Sequence, residues 1–318
     1  MGYEWISRNK ELYNLLKEYY QDELEKFLLW TEEKLKPAIR VNTLKITPEE
    51  LKERLENQGF TLKRLDFYNE AFYVEYAPFE IGKTIEHYLG YYYVQNISSM
   101  IPPLVLNPQP HEMVLDIAAA PGSKTTQMAQ MMRNTGVIIA NDVAVDRIKA
   151  LSNNVDRMGA LNVIITMVEG FKFGFWFKNS FDRVLVDAPC SAIGTLHKSY
   201  EVAKWWGYEK VGKLTRTQKG LILAAFDCLK PGGTMVYSTC TITPEENEAV
   251  INFLIEKREG VIIEEFDIQG IKMRKGLIRW GRFKFHSDLQ KTRRIEPFDN
   301  DTEGFYIAKI KKGEIWKV

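Results

Sequence analysis

The chain has 318 residues, 45% of them hydrophobic and 12% aromatic, enough for one large α/β domain beside a smaller one and too apolar for a disordered chain. With 43 basic and 42 acidic residues the net charge is +1, so overall charge names no partner, while a local basic face stays open. No apolar run approaches the roughly 18 residues of a membrane span, and the N-terminal MGYEWISRNKELY has no apolar signal core. Three cysteines, Cys190, Cys228 and Cys240, cannot all pair and fit no zinc spacing. The expectation is a reduced, cytoplasmic, monomeric protein with no metal and no membrane contact.

Residues 1 to about 36 read as helical, with Leu12, Leu15, Leu16 and Tyr19 at helical spacing. A strand is expected over 37–42. Thr47-Pro48-Glu49-Glu50 is a helix start: Thr47 caps, Pro48 suits the first turn and Glu50 completes a capping box. Strands at 61–66 and 71–76 then give a β-α-β-β pattern, a small α+β unit of ferredoxin or RNA-recognition type expected over residues 1–90. From Tyr91 strand and helix alternate, the pattern of a parallel sheet. Strands are expected at 113–118, 137–142, 163–167, 183–188 and 234–239, and helices at about 123–132, 144–158 and 214–229. A second Thr-Pro-Glu-Glu, Thr243 to Glu246, reads as a helix start whose dipole points back towards Cys240. A last strand, antiparallel, is expected at 303–308. Residues 91–318 would form this larger unit.

Two stretches carry the chemistry. Phe181 to Thr195 reads FDRVLVDAPCSAIGT, a buried strand that ends at Asp187 and runs into Pro189 and Cys190. The pattern recurs at Met235 to Cys240, again a short strand ending in a thiol. If these strands are parallel neighbours, both thiols face the crevice where open α/β sheets bind ligands. Upstream, Val114 to Thr125 is a strand, a turn of small residues (Ala118, Ala119, Ala120, Pro121, Gly122) and a helix start at Ser123-Lys124. Small residues let a ligand approach the backbone. The stretch is neither GxGxxG nor a Walker loop, which opposes a nicotinamide oxidoreductase and a triphosphate site. Asp142, twenty residues after Gly122, is placed for ribose hydroxyls. Together they point to a nucleoside without a pyrophosphate, such as S-adenosylmethionine. A thiolate beside a carboxylate and that donor suggests methylation at pyrimidine C5: thiolate addition to C6 makes C5 electron-rich. Residue types alone do not choose between the two thiols, and Cys228 reads as core.

Asp187-Ala188-Pro189-Cys190-Ser191, Ser238-Thr239-Cys240-Thr241 and Glu245-Glu246-Asn247-Glu248 together resemble the Nol1/Nop2/Sun family of RNA (cytosine-5) methyltransferases, with similarity from about Arg40 to Lys311. The resemblance implies a Rossmann-like class I S-adenosylmethionine methyltransferase fold, with a mostly parallel seven-stranded sheet whose last strand is antiparallel. It implies methylation of cytosine in RNA, transfer RNA first and ribosomal RNA as the alternative; a non-catalytic RNA-binding scaffold is the rival reading, opposed by the retention of both Cys190 and Cys240. Cys240 would be the nucleophile, Cys190 would assist breakdown of the adduct, Asp187 would contact the ring or the cofactor edge, and Lys124 would lie near the catalytic centre. Ala118 to Lys124 would wrap the methionine and ribose of the cofactor, Asp142 the ribose hydroxyls with Arg147 supporting, and Glu169 the adenine. Glu169 stands where the family usually has Asp, Asn96 where an acid is common, and Ala192 where Gly is usual.

Lys272 to Arg294 collects Lys272, Arg274, Lys275, Arg279, Arg282, Lys284, Lys291, Arg293 and Arg294, with Trp280, Phe283 and Phe285 interleaved. Cations for phosphates and rings for bases make this an expected RNA surface. Arg40 and Asn42 resemble the Arg-Val-Asn stretch of the family's N-terminal RNA-binding module.

Overall fold

In the computed structural model, which describes residues 3–314, the chain opens with α1 (Tyr3–Arg8), α2 (Lys10–Tyr20) and α3 (Leu24–Trp30). Asn9 separates the first two helices of this helical stretch and caps α2 by accepting from the Leu12 N–H at 3.1 Å. These helices bury Leu12, Leu16, Phe27 and Trp30 against Ile193, Leu196, Val202 and Trp206. They therefore pack on the segment that follows Cys190.

A small antiparallel sheet comes next: β1 (Ala38–Val41), β2 (Thr61–Leu65), β3 (Tyr68–Tyr76) and β4 (Tyr92–Val94), in the order β2-β3-β1-β4. Between β1 and β2 lies α4 (Pro48–Glu56), with the capping box of Thr47 and Glu50 in place. After β3 comes the one-turn α5 (Ile85–Tyr88). Side chains alternate across a strand. Ile39 and Val41 join Leu51, Leu55 and Phe72 under α4, while Ala38 turns to the other face with Leu65, Ile97 and Met100. The division expected at residue 90 cuts through this sheet, because Tyr92–Val94 is its edge strand.

The helix α6 (Ile97–Leu106) follows. Sequence reading assigned it no element, since Pro102 and Pro103 lie inside it and remove two backbone donors. The Ser99 carbonyl, left without the Pro103 N–H, accepts instead from the Gln95 side-chain amide at 3.1 Å. Asn96 caps α6 by accepting from the Ser98 N–H at 3.0 Å, a role an acid fills equally well.

The large sheet contains the parallel strands β5 (Met113–Asp116), β6 (Val137–Asn141), β7 (Val163–Thr166), β8 (Phe181–Asp187) and β9 (Leu229–Thr239). The short β10 (Val261–Glu264) and β11 (Arg274–Lys275), the hairpin β12 (Arg279–Trp280) and β13 (Phe283–Lys284), and then β14 (Arg293–Ile295) and β15 (Phe305–Lys312) complete the strands. The order is β11-β14-β15-β9-β8-β5-β6-β7, with β10 also on β15. β15 is antiparallel to β9, as expected. The sheet has nine strands where seven were expected, the surplus being short pieces at the antiparallel edge. On one face lie α6, α7 (Ser123–Met131) and α8 (Val145–Met158). On the other lie α9 (Phe173–Trp176), α11 (Tyr208–Cys228) and α12 (Glu248–Lys257), with α10 (Glu201–Trp205) and α13 (Pro297–Asn300) at the periphery. Cys228 is fully buried in the second layer, and burial pushes its thiol up to about 12.

The chain builds β5, β6 and β7 outward, then returns to β8 on the far side of β5. Loops diverge at that reversal and leave a crevice at the carboxyl ends of the strands. The helix expected to start at Thr243 starts later. Residues 244–247 form a turn and α12 begins at Glu248. Thr243 spends its hydroxyl on Thr241 and Ser191 instead of capping.

Candidate active site

β8 and β9 are parallel neighbours, with Asp187 paired to Ser238 in register. That places the loops after them side by side. Sγ of Cys190 and Sγ of Cys240 are 3.3 Å apart, both partly exposed and free. The Gly194 N–H donates to the Cys240 carbonyl at 3.0 Å, and the Gly304 N–H to the Gly194 carbonyl at 3.0 Å. A methyl group at Gly194 would lie 2.2 Å from the Gly304 oxygen, so this close approach requires glycine. Ala192, at φ 56, holds a left-handed turn that the family's usual Gly would occupy without strain.

Behind the thiols lies a buried polar network. Glu246 accepts from the Ser191 N–H at 2.9 Å, from Gln218 Nε2 at 3.0 Å, and from the Ser191 hydroxyl. Gln218 Nε2 also donates to the Pro189 carbonyl at 2.8 Å. Burial raises the Glu246 carboxyl. The Cys190 thiol is pushed well up, first by its contact with Cys240 and then by burial, so Cys190 holds its proton.

On the other side of Cys240, a cavity of about 200 Å³ is lined by Ser99, Asp116, Lys124, Asp187, Glu303 and Phe305 together with the small residues of the 118–121 turn. Lys124 Nζ donates to Asp187 Oδ2 at 2.7 Å and to Ser99 Oγ at 2.9 Å, and Ser238 Oγ donates to Asp187 Oδ1 at 2.8 Å. Burial alone would lower the Lys124 ammonium, but Asp187 beside it prevails and holds it above its ordinary value. Asp116 is buried, accepts from Thr125 Oγ1 at 2.7 Å through Oδ2, and leaves Oδ1 without a partner. Burial lifts its carboxyl to about 7. Burial also raises Glu303. Sequence reasoning missed Ser99, Asp116, Glu303 and Phe305 as members of this site. Only Asp116 carried a signal, an acid ending the first parallel strand.

A second cavity, of about 510 Å³, adjoins the first at Ala118 and reaches past Asp142, Arg147 and Glu169 to Phe171 and Leu221. Asp142 is clamped by Arg147 Nε, 3.0 and 3.1 Å from its two oxygens, and accepts from the Ala120 N–H at 3.2 Å. Arg147 also donates to the Ala120 carbonyl at 2.8 Å. Gly122, at φ 102, opens α7 in a conformation that disfavours other residues. Glu169 stands at the rim and pairs with Lys172 at 2.9 Å. A small-residue cradle, an unpartnered buried carboxylate oxygen for an ammonium, and a clamped carboxylate beside an apolar slot fit a nucleoside with an amino-acid tail.

The expected basic surface is largely consumed within the chain. Lys272 and Arg274 pair with Asp299, Arg274 also with Glu23, Lys291 with Asp288, and Arg293 with Glu265 and Asp267. Arg294 is buried against Glu248. Phe285 packs inward. Arg40 is also buried: it donates to Gln95 at 2.8 Å, to Gln130 at 2.6 Å, to Thr126 at 2.9 Å and to the Ser123 carbonyl at 3.3 Å. Asn42 donates to the Gly90 and Met158 carbonyls at 2.8 and 2.7 Å. Both residues lock the small sheet onto α7 and α8 and offer RNA no open contact.

A parallel sheet with its crevice at the strand reversal, and a small-residue turn running into a helix, define the class of S-adenosylmethionine-dependent methyltransferases. Residues 103–311 match the family described as 16S rRNA methyltransferase RsmB/F, and residues 9–97 match the N-terminal domain of 16S rRNA methyltransferase RsmF. The chain belongs to the RsmB/F methyltransferase family, within the Nol1/Nop2/Sun group. It is 47% identical over 292 residues to the tRNA (cytosine(49)-C(5))-methyltransferase of Pyrococcus abyssi, covering 92% of this chain and 93% of the relative. It is 39% identical over 293 residues to ribosomal RNA small subunit methyltransferase F of Vibrio parahaemolyticus, covering 91% of this chain but 59% of that one. Among solved structures, a methyltransferase homolog from Pyrococcus horikoshii superposes with a TM-score of 0.85 at 35% identity, covering 98% of both chains. NSun6 from Pyrococcus horikoshii, solved with the S-adenosylmethionine analogue SFG, superposes with a TM-score of 0.82 at 26% identity, covering 96% of this chain and 98% of that one.

Proposed function

We propose that this chain methylates C5 of a cytosine in RNA, and that the RNA is a transfer RNA. The observation that carries the chemistry is the 3.3 Å sulfur pair at the mouth of the pocket holding Lys124 and Asp187. The relative named for transfer RNA is matched along 93% of its length, against 59% for the ribosomal one, which favours transfer RNA.

Cys240 lines the pocket and Cys190 stands behind it. Because Cys240 and not Cys190 lines the pocket, Cys240 is the sulfur that adds to C6, dividing a hard substitution into easier steps. The Lys124 ammonium stabilises the charge that spreads over the ring, in a site where few waters compete. Asp187, held by Lys124 and Ser238, faces the polar ring edge. Residues 118–124, Asp142, Arg147 and Glu169 would hold S-adenosylmethionine, which would supply an electrophilic methyl group to C5 and leave as S-adenosylhomocysteine. A base then removes the C5 proton, and the S–C6 bond breaks with Cys190 assisting. The two free thiols suit a reducing cytoplasm.

The test is bisulfite mapping of total RNA after incubation with the protein. New 5-methylcytosine in transfer RNA is expected, and methylation confined to ribosomal RNA would overturn the substrate. Cys240→Ala should abolish transfer with cofactor binding intact, and full activity would refute its role. Cys190→Ala should accumulate a covalent RNA adduct on a denaturing gel.

A further inference from the structure

After the internal ion pairs are removed, the basic run leaves four exposed cations, Lys275 on β11 and, together on the hairpin β12–β13, Arg279, Arg282 and Lys284. Among the described residues none of them has an ion pair. The register sets Arg279 directly opposite Lys284. Like charges directly opposed destabilise a strand pair, and an anion between them reverses the sign. Phe283, paired across from Trp280, is half exposed. The hairpin borders a cleft of about 340 Å³ whose lining includes Tyr208, Arg216, Lys219, Glu245, Trp280 and Phe283. Arg216 and Lys219 also have no ion pair among the described residues. Glu245 Oε1 accepts from Trp280 Nε1 at 3.1 Å, and Oε2 has no partner. Two further acids lie near: Glu18 beside the hairpin turn at Gly281, and Glu11, whose Oε2 accepts from the Tyr208 N–H at 3.0 Å. Glu245 is five residues from Cys240, so the cleft lies no more than about 18 Å along the backbone from the thiol.

Resting on the RNA reading above, we propose that this hairpin and cleft bind one unstacked nucleotide of the substrate RNA a short distance from the target cytosine. Phe283 and Tyr208 supply the stacking faces, and Arg279, Arg282 and Lys284 with Arg216 and Lys219 hold the phosphates. Aromatic faces ringed by cations match single-stranded nucleic acid, where bases stack and the backbone is tracked by charge. An acidic peptide would use the cations but would leave the ring faces idle.

The experiment measures equilibrium binding of an unmodified transfer RNA transcript over a salt series, without turnover. Arg279→Glu with Arg282→Glu should weaken binding about tenfold or more at low salt and flatten the salt slope by about one to two units. Phe283→Ala should weaken binding about tenfold and leave that slope alone. S-adenosylmethionine affinity, unchanged in each variant, reports an intact fold. Both variants binding RNA within twofold of the parent chain would overturn the proposal, as would lost binding of an aspartate-rich peptide with RNA binding intact. RNA binding is read separately from methylation. A parent chain that binds RNA and loses affinity in the variants, yet leaves cytosine unmethylated, sinks the functional reading and spares this one. A parent chain that methylates while the variants bind normally sinks this one alone.

Discussion

At the scale of single residues, Asp116 combines a buried carboxyl, one unpartnered oxygen and a place at the end of β5 facing the small cavity. In the unfolded chain it titrates near the ordinary carboxylate value of about 3.9; in the folded chain burial holds it at about 7. Between those values the unfolded state has released the proton and the native state still holds it. Stability therefore falls as pH rises from about 4 to 7 and is flat above, by at most about 4 kcal/mol. Asp116→Asn keeps the Thr125 hydrogen bond and removes the titration. Denaturant melts of the cofactor-free chain should show a shallower slope over that window, and a slope equal to the parent's would exclude the assignment. Cys190, Cys240 and Asp187 were readable as candidates because they stand at strand ends, and Lys124 because it opens the helix after the small-residue turn. Asp116 offered only an acid at the end of a strand, and Ser99 and Glu303 less: their significance comes from burial and from partners on distant segments.

Among the elements, the turn after Cys190 holds a non-glycine residue in the left-handed region. Ala192 sits at φ 56, where a side chain costs about 1–2 kcal/mol against the right-handed region. Glycine loses more freedom on folding, so Ala192→Gly should stabilise the chain by only about 0.5–1 kcal/mol. A thermal shift upward of about one degree is expected, and a drop would mean that the alanine methyl makes a contact worth more than the strain. The helix α4 was readable because Thr47 and Glu50 are three residues apart and cap each other. The helix α6 was not, because the group that rescues its Pro-interrupted ladder is the side chain of Gln95, outside the helix. Local capping is written locally; repair from outside the element is not.

Across the whole molecule, the basic stretch at 272–294 shows what sequence patterning leaves out. Glu23, Glu248 and Glu265, which neutralise three of its arginines, lie far away in the chain or on other elements. Charge runs therefore look like binding surfaces until their partners are placed. Arg40 is the counterpart at the junction of the two sheets. Its guanidinium reaches Ser123 and Thr126 in the first turn of α7, next to Lys124. Truncation would leave Gln95, Gln130 and Thr126 short of a buried partner. Arg40→Ala should destabilise the chain by about 2–5 kcal/mol and raise the KM for S-adenosylmethionine. An unchanged melting temperature would mean that the two sheets dock without this arginine.

The paired glycine backbones at 194 and 304 have a mechanical consequence. Because the loop bearing one sulfur is stitched to the carbonyl of the other, and the last strand is stitched to that loop in turn, the three segments travel as one piece. The separation of the two thiol-bearing loops is thus set by main-chain hydrogen bonds rather than by side-chain packing.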